Sequence, residues 1–495
     1  MIYKTTYSTE EVSRCLVCNE PLCSCACEEE VDPAGVIRSL YFDNVIGAAY
    51  KANKTDACLR CDGHCEKHCV RKDNPIKIKD IITNLKEDSK TFEELDETSI
   101  DLSVEFLGVH LENPFLLSSS VVASSYEKLS RAFEMGWAGA CFKTICDFIP
   151  EEASPRYSAV TTEHGFCGFK NIEQLSCDSL NEDLEIIKRL KKDYPNKVII
   201  ASIMGRNDEE WERLARLCEE AGADIIECNF SCPNMEEGGL GSDIGQDVNA
   251  IAKCTKAARK GCRIPLLAKL TPNVADMRPF AKVAMDNGAD GIAAINTIKS
   301  LMGMNLDTYS TEPSVKGLSA VGGYSGKAVK PIALRFIWEM ASDKELNDVP
   351  ISGMGGIYTW KDAVEFLLLG ANNVQITTSI MQYGARIIDD LIDGLKWYMR
   401  EKALTSVTQL HHLGVDNVKD LDVLNRQQKQ IPRFLRKKCV GCGRCVLSCR
   451  DGGHEALRML NSKPVMDSRK CVGCHLCVLV CPMKDVSPYG ARVDV

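Results

Sequence analysis

The sequence predicts an α/β protein whose centre is a (β/α)8 TIM barrel, with a cysteine-rich segment at each end. Three observations carry this reading: eight short apolar runs alternate with amphipathic helical stretches across the middle of the chain, cysteine far exceeds its ordinary usage, and most of the cysteines crowd towards the two ends. At 495 residues the chain exceeds what one hydrophobic core supports, and a barrel of typically ~250 residues leaves about half of it over. Two or three domains follow. The expected partition is 1–95 for a small N-terminal cysteine-rich helical segment and linker, 96–405 for the barrel, and 406–495 for a second linker and a C-terminal cysteine-rich domain.

Residues 76–103 (IKIKDIITNLKEDSKTFEELDETSIDLS) read as a short helix and a charged linker. The eight runs begin after it: PFLLSS from Pro114, ACFKTI from Ala140, VIIASIM from Val198, DIIECNF from Asp224, PLLAKL from Pro265, GIAAIN from Gly291, PISGMGG from Pro350 and NVQITT from Asn373. Each is short and rich in Val, Ile or Leu, as strands buried on both faces are. Helical patterns such as residues 208–221 (DEEWERLARLCEEA) lie between them. EAGADII, DNGADGI and LLLGANNV each end a helix on Gly or Asn and enter the next strand, the expected chemistry of an αβ turn. Eight βα units close a barrel more economically than they build an open sheet. The two longest interruptions, residues 147–196 and 299–330, follow strands 2 and 6 and belong on the C-terminal face, where barrel enzymes keep their chemistry. A helix over residues 385–402 then leads through a polar stretch to the last segment.

The composition, 45% hydrophobic and 26% charged, is that of an ordinary globular chain with neither a signal-peptide core nor a spanning apolar run, so a soluble cytoplasmic protein without a membrane partner is expected. A net charge of -9 gives no basic stripe for a phosphate backbone, which argues against nucleic acid. Of the 26 cysteines, nine lie between Cys15 and Cys69 and eight between Cys439 and Cys481. Clustered thiols without an export signal point to metal sites rather than disulfides.

Cys439, Cys442, Cys445 and Cys449 stand at C-x-x-C-x-x-C-x-x-x-C, and Cys471, Cys474, Cys477 and Cys481 repeat that spacing with Pro482 directly after. This is the bacterial ferredoxin run for two 4Fe-4S clusters, in which three close thiolates hold one cluster and the fourth ligates the other. Zinc needs only two pairs of ligands and does not call for such a run. Arg450 stands where the first run would have its proline, a departure expected to tune the site. At the other end Cys15, Cys18, Cys23 and Cys27 are followed by Cys58, Cys61, Cys65 and Cys69, enough thiols for two further clusters, with Cys25 left over. Cys58, Cys61 and Cys65 with His64 and His68 also suit a tetrahedral zinc site.

In the barrel, Cys232 follows strand 4 and precedes a glycine-rich loop, residues 235–247, that is expected to move as a lid. A thiol at the mouth of a barrel strand can exchange a proton with a substrate; on position alone it reads equally as a buried structural cysteine. The Gly353–Ile357 stretch after strand 7, with Gly355 and Gly356, and Thr377 with Thr378 after strand 8 stand where barrels bind a cofactor phosphate. Lys143 on strand 2 and Lys269 on strand 5 would place positive charge beside a reduced flavin ring, although a surface or salt-bridged lysine is the default reading for either. The glycines near Gly239 lack the spacing of a dinucleotide fingerprint, so the electron donor is expected to be another protein or subunit.

The motifs SPR, NIE, VIIASIM, NFSCPN, AKLTPN, INT, GGYSG and GMGG, spread over roughly residues 100–495 together with the ferredoxin runs, resemble the FMN and iron-sulfur portion of the dihydropyrimidine dehydrogenase family, its separate bacterial subunit above all. A looser similarity covers the N-terminal cysteines. The resemblance implies FMN held by Ser119, Lys143, Lys269, Gly355, Gly356, Thr377 and Thr378. It implies a pyrimidine framed by Asn171, Glu173, Asn229, Asn296 and Thr297, and Cys232 as the catalytic acid. The implied reaction reduces the 5,6 double bond of uracil or thymine, with hydride passing from flavin N5 to C6 while Cys232 protonates C5. Two departures stand out. The glutamine that ligates the family's second N-terminal cluster has no counterpart here, so that Cys58, Cys25 or a different cluster takes its place, and the family's FAD and NADPH domains do not separate the N-terminal segment from the barrel. A flavoprotein subunit or ferredoxin is therefore the expected redox partner, in a homodimer or heteromer. Two rival readings are a dihydroorotate dehydrogenase-like enzyme, whose anionic substrate Glu173 would repel, and an electron-transfer subunit with an idle barrel.

Overall fold

The protein is described by a computed structural model that covers the chain apart from residues 1–5, 30, 55, 89–98, 163–164, 236–238, 436–438, 484–485, 489–491 and 495. Part of the expected charged linker and part of the expected lid thus lie outside the described residues. The chain divides into two compact units, residues 1–416 and 417–495.

All eight apolar runs become the strands of one closed parallel barrel: Phe115–Leu117, Gly139–Ile145, Val198–Ile203, Ile225–Asn229, Leu266–Lys269, Gly291–Ala294, Ile351–Met354 and Asn373–Ile376. The last pairs with the first, Gln375 opposite Leu116, and closes the ring. Every residue of these strands is buried, because the inner face fills the barrel and the outer face receives the helices. Burial of each Ile, Leu or Val contributes about 1.5–3 kcal/mol. The helix Asp208–Glu220 shows how the cover forms: the Asn207 side chain accepts the Glu210 N–H as a cap, and Trp211, Leu214, Ala215 and Cys218 turn inward. Trp211 packs on Phe230, at the end of strand 4, with ring centroids 5.4 Å apart.

The two long interruptions fold together, which the sequence did not reveal. Ile298–Ser300, Gly322–Ser325, Gly165–Asn171 and Tyr157–Thr162 form one antiparallel four-stranded sheet in that order. The Lys170 ammonium, buried, donates to the Glu312 carbonyl at 3.0 Å and the Ala320 carbonyl at 2.7 Å. One side chain thereby holds the long connection between the second pair of strands against the first.

The N-terminal helices Pro33–Tyr41, Val45–Ala52 and Ile78–Asp88 enclose a core of their own that includes Val36, Ile37, Ala48, Ile81 and Ile82. Asp32 and Asn44 cap the first two by accepting the Gly35 and Gly47 N–H groups. This layer joins the barrel's last helix, Ile387–Glu401, through Arg38–Asp390 and Lys51–Asp393 ion pairs of 2.8 Å each. Among the described residues no helix is long and apolar enough to cross a membrane.

One buried carboxyl makes the stability of this unit depend on pH. Asp183, in the helix Leu180–Asp193, is 1% exposed; burial lifts its pKa to about 7, although the Ser176 hydroxyl donates to it at 3.0 Å. The folded chain therefore keeps a proton there that the unfolded chain releases near pH 4, and stability falls as pH rises through that interval. Asp183→Asn removes this slope, so between pH 5 and 8 the variant is expected to gain about 2–3 kcal/mol relative to wild type. A constant difference in melting temperature across that range would contradict the assignment.

The second unit contains the helices Arg444–Gly452 and Leu476–Leu479 and the hairpin Leu457–Leu460 with Lys463–Met466. Its small core consists of Cys445, Leu457, Cys477 and Val486. So few buried apolar side chains are thin support for a fold, and bound clusters would supply what they lack.

Candidate functional site

All thirteen side chains and glycines expected in the barrel site line one cavity at the C-terminal ends of the strands. Cys232 stands just past strand 4 and is 7% exposed. Burial pushes its pKa up to about 11, against the opposing pull of the Asn234 N–H and of Lys269 and Lys143. The thiol therefore keeps its proton at neutral pH, as a proton donor must.

Around it the amide side chains are fixed by one another. Asn229 donates to the Thr144 hydroxyl at 2.9 Å and accepts from the Ser231 N–H and hydroxyl. The Thr144 hydroxyl is in turn 3.2 Å from that of Ser119. Asn296 donates to Ser231 at 2.7 Å and accepts the Thr297 N–H at 2.7 Å. Asn171, on the insertion sheet, donates weakly to the Gly323 carbonyl at 3.4 Å. The arrangement is one of pre-set neutral donors and acceptors.

Sequence reasoning passed over Asn234, although it belongs to the NFSCPN motif. Its side-chain N–H2 donates to the Asn171 side chain at 3.0 Å and to the Glu173 carbonyl at 2.8 Å, while its oxygen is buried without a partner. Tyr157, Phe169 and Tyr324, all from the insertion sheet, also line the cavity. Recognising them required knowing that the two interruptions pair.

The expected cations are not free. Lys143 lies 2.8 Å from the Glu173 carboxylate, which is also 3.5 Å from Arg156. A residue expected beside the cofactor and one expected beside the substrate thus form a single pair, and the carboxylate's charge is largely compensated. Lys269 lies 3.4 Å from Glu227, whose side chain is fully buried beneath the cavity. Gln375 donates to the same carboxylate at 3.3 Å and to the Ser352 hydroxyl at 3.0 Å.

At the end of the cavity formed by strands 7 and 8, Gly355 and Gly356 have φ of +127° and +77°. A side chain at Gly356 would place its first carbon 2.9 Å from the Gly326 carbonyl oxygen and the Lys330 nitrogen. Only glycine lets the backbone pass here without strain or clash. Thr377 and Thr378 lie opposite, their hydroxyls 3.1 Å and 3.0 Å from those of Ser120 and Ser325. This end combines a glycine backbone, hydroxyls and the start of the helix Thr378–Tyr383 without a lining carboxylate, which fits the phosphate of FMN.

The cysteine runs form four hollows. Cys439, Cys442, Cys445 and Cys481 line one; Cys449, Cys471, Cys474 and Cys477 line another. Each run thus gives its fourth thiol to the other's site, as the ferredoxin spacing requires. In the N-terminal layer Cys15, Cys18, Cys23 and Cys69 line a third hollow, and Cys27, Cys58, Cys61 and Cys65 a fourth.

Comparison with known proteins agrees with this picture. Residues 101–399 match the family model of dihydroorotate dehydrogenase, and residues 433–487 match that of the 4Fe-4S dicluster domain. The chain is 52% identical over 358 residues to the NAD-dependent dihydropyrimidine dehydrogenase subunit PreA of Escherichia coli (strain K12), an alignment covering 72% of this chain and 87% of that one. It is 35% identical over 357 residues to the chloroplastic dihydropyrimidine dehydrogenase (NADP(+)) of Arabidopsis thaliana, covering 69% and 84%. The dihydroorotate dehydrogenase B (NAD(+)) catalytic subunit of Pyrococcus furiosus is 37% identical over 311 residues, covering 63% and 98%.

Proposed function

Because the chain belongs to the dihydropyrimidine dehydrogenase family of FMN and 4Fe-4S oxidoreductases acting on CH–CH bonds, we propose that it reduces the 5,6 double bond of uracil or thymine in the cytoplasm, with electrons delivered through its clusters by a separate redox protein. One observation carries the reading: a buried thiol, whose pKa burial raises, shares a cavity with a frame of neutral amides and with the Gly355–Gly356 turn and the Thr377 and Thr378 hydroxyls. FMN, when bound, would supply the hydride that C6 accepts. Ser119, Lys143, Lys269, Gly355, Gly356, Thr377 and Thr378 would hold it. Cys232 supplies the proton that C5 takes up, so that charge does not accumulate on the ring. Asn171, Asn229, Asn296 and Thr297 orient the two carbonyls and two N–H groups of the uncharged ring, and the unpartnered Asn234 oxygen adds an acceptor. Glu173 faces the same ring with its charge balanced by Lys143 and Arg156.

The relative from E. coli is named as a subunit of an NAD-dependent enzyme. The partner proposed for this chain is accordingly an FAD- and NAD(P)H-binding flavoprotein or a ferredoxin, in a homodimeric or heteromeric assembly. Orotate is the competing substrate, favoured by the match to the dihydroorotate dehydrogenase model. The test is anaerobic. FMN, iron and sulfide are measured per chain, the protein is reduced with a viologen dye, and its reoxidation by uracil is compared with that by orotate. Reoxidation by uracil at least about tenfold faster is expected. Preference for orotate would transfer the enzyme to the rival reaction, and inertness towards both would favour an idle barrel.

A further inference from the structure

We propose that the second N-terminal site holds a 4Fe-4S cluster on four thiolates, those of Cys27, Cys58, Cys61 and Cys65, without an amide ligand, and that Cys25 belongs to neither N-terminal site. The proposal concerns electron entry and stands whichever heterocycle the barrel accepts.

The four thiols are not consecutive in sequence, yet they line one hollow. Cys58 lies on the short helix Ala57–Arg60 and Cys65 on His64–Lys67, both buried. Between them Gly63 takes φ +69°, a left-handed turn that reverses the chain so that both helices face the same space. Lys79 fastens this loop to the helix Ile78–Asp88: its ammonium donates to the Cys61 carbonyl at 2.6 Å and its N–H to the Glu66 carboxylate at 2.7 Å. Cys27 arrives from the first run, held by its N–H bond to the Ser24 carbonyl. Cys25, two residues earlier, is exposed and lines neither N-terminal hollow.

The chemistry of the ligands narrows what can bind. Among the described residues no three His, Cys, Asp or Glu side chains converge closely enough for a single metal ion. That holds equally for the C-terminal thiols, where the dicluster match identifies cubanes; four thiols around an open centre suit a cluster that carries its ligands on its corners. The second hollow needs no nitrogen or amide ligand, because four sulfurs already surround it. His64, its one imidazole, stands 3.7 Å from Glu28. The exchange of thiols repeats the C-terminal pattern: the first run sends Cys27 to the second site and the second run returns Cys69 to the first. A thiolate in place of a neutral amide adds one negative charge, and Glu28, Glu29 and Asp62 outnumber Arg60 in the lining, which would set the cluster's potential low.

The test uses the full chain prepared anaerobically. With four clusters, wild type carries about 16 irons. The double variant Cys27→Ser/Cys58→Ser is expected to lose about four of these and Cys58→Ser/Cys69→Ser about eight, while Cys25→Ser loses none. Grouping by consecutive runs reverses the first two results and would overturn the proposal, as would loss of iron in Cys25→Ser. FMN content and the C-terminal cluster signals report that each variant has folded. A second measurement needs no variant: iodoacetamide labelling of wild type, mapped by mass spectrometry, should mark Cys25 and spare Cys27, Cys58, Cys61 and Cys65 until acid removes the clusters. Labelling of any of those four in the loaded protein, or zinc in place of iron and sulfide, refutes the assignment. Neither outcome touches uracil turnover with a dye as donor, so this proposal and the pyrimidine reading fail separately.

Discussion

Uracil reduction by the Cys232→Ala protein is expected to fall by about 10²–10⁴-fold, with FMN and iron contents unchanged. The size of the effect reflects the loss of a placed proton donor, and its confinement to turnover reflects where the thiol stands. Cys232 stands at the edge of the core, past the end of its strand and lining the cavity, whereas Cys141 and Cys228 are fully buried within strands. The pH profile gives a second signature. Burial holds the Cys232 pKa near 11, so the proton is present throughout neutral pH and the rate should stay level until the solution becomes strongly alkaline, then decline as the thiolate forms. Cys232→Ser, whose hydroxyl is a weaker acid, should also be slow and lose that alkaline limb. Unchanged turnover in Cys232→Ala would mean that the proton comes from elsewhere or that the barrel is idle.

The barrel was legible in the sequence because parallel strands covered on both faces must be apolar along their whole length, and no other element combines that composition with such brevity. The insertion sheet lacks this signature. Tyr157–Thr162 is half exposed, and Gly322–Ser325 reads GGYS; neither shows the alternation that marks a one-faced strand, and Gly322–Ser325 pairs with Gly165–Asn171, from an interruption far away in the chain. A similar limit applied to the site. Residues that follow a strand directly, such as Cys232 and Gly355, could be placed from the rhythm alone. Ion pairs could not be, because Lys143 meets Glu173 only once the insertion sheet has folded back over the mouth. The N-terminal thiols show the same limit in another form: spacing gave their number, but the helices around Gly63 decide which of them share a hollow.

Removing Glu227 is expected to destabilise the barrel by about 3–5 kcal/mol, the cost of leaving its cationic partner buried and unpaired. The Lys269 side chain is 4% exposed and that of Glu227 is not exposed at all. They sit on adjacent strands, with Asn229 rather than Glu227 opposite Lys269 in the register, so the ammonium reaches back along the barrel to its partner. In Glu227→Ala the lysine, nearly buried at the floor of the cavity it lines, is left without a carboxylate partner, since Glu173 is already engaged with Lys143 and Arg156. A fall of several degrees in the melting temperature follows, together with weaker FMN retention, because Lys269 is no longer held below the cofactor. Glu227→Gln separates the two possible causes. It preserves shape and can still meet Gln375, but it restores no charge. A loss that persists in Glu227→Gln therefore belongs to the unpaired lysine, whereas recovery in that variant would assign the whole effect to packing and hydrogen bonding.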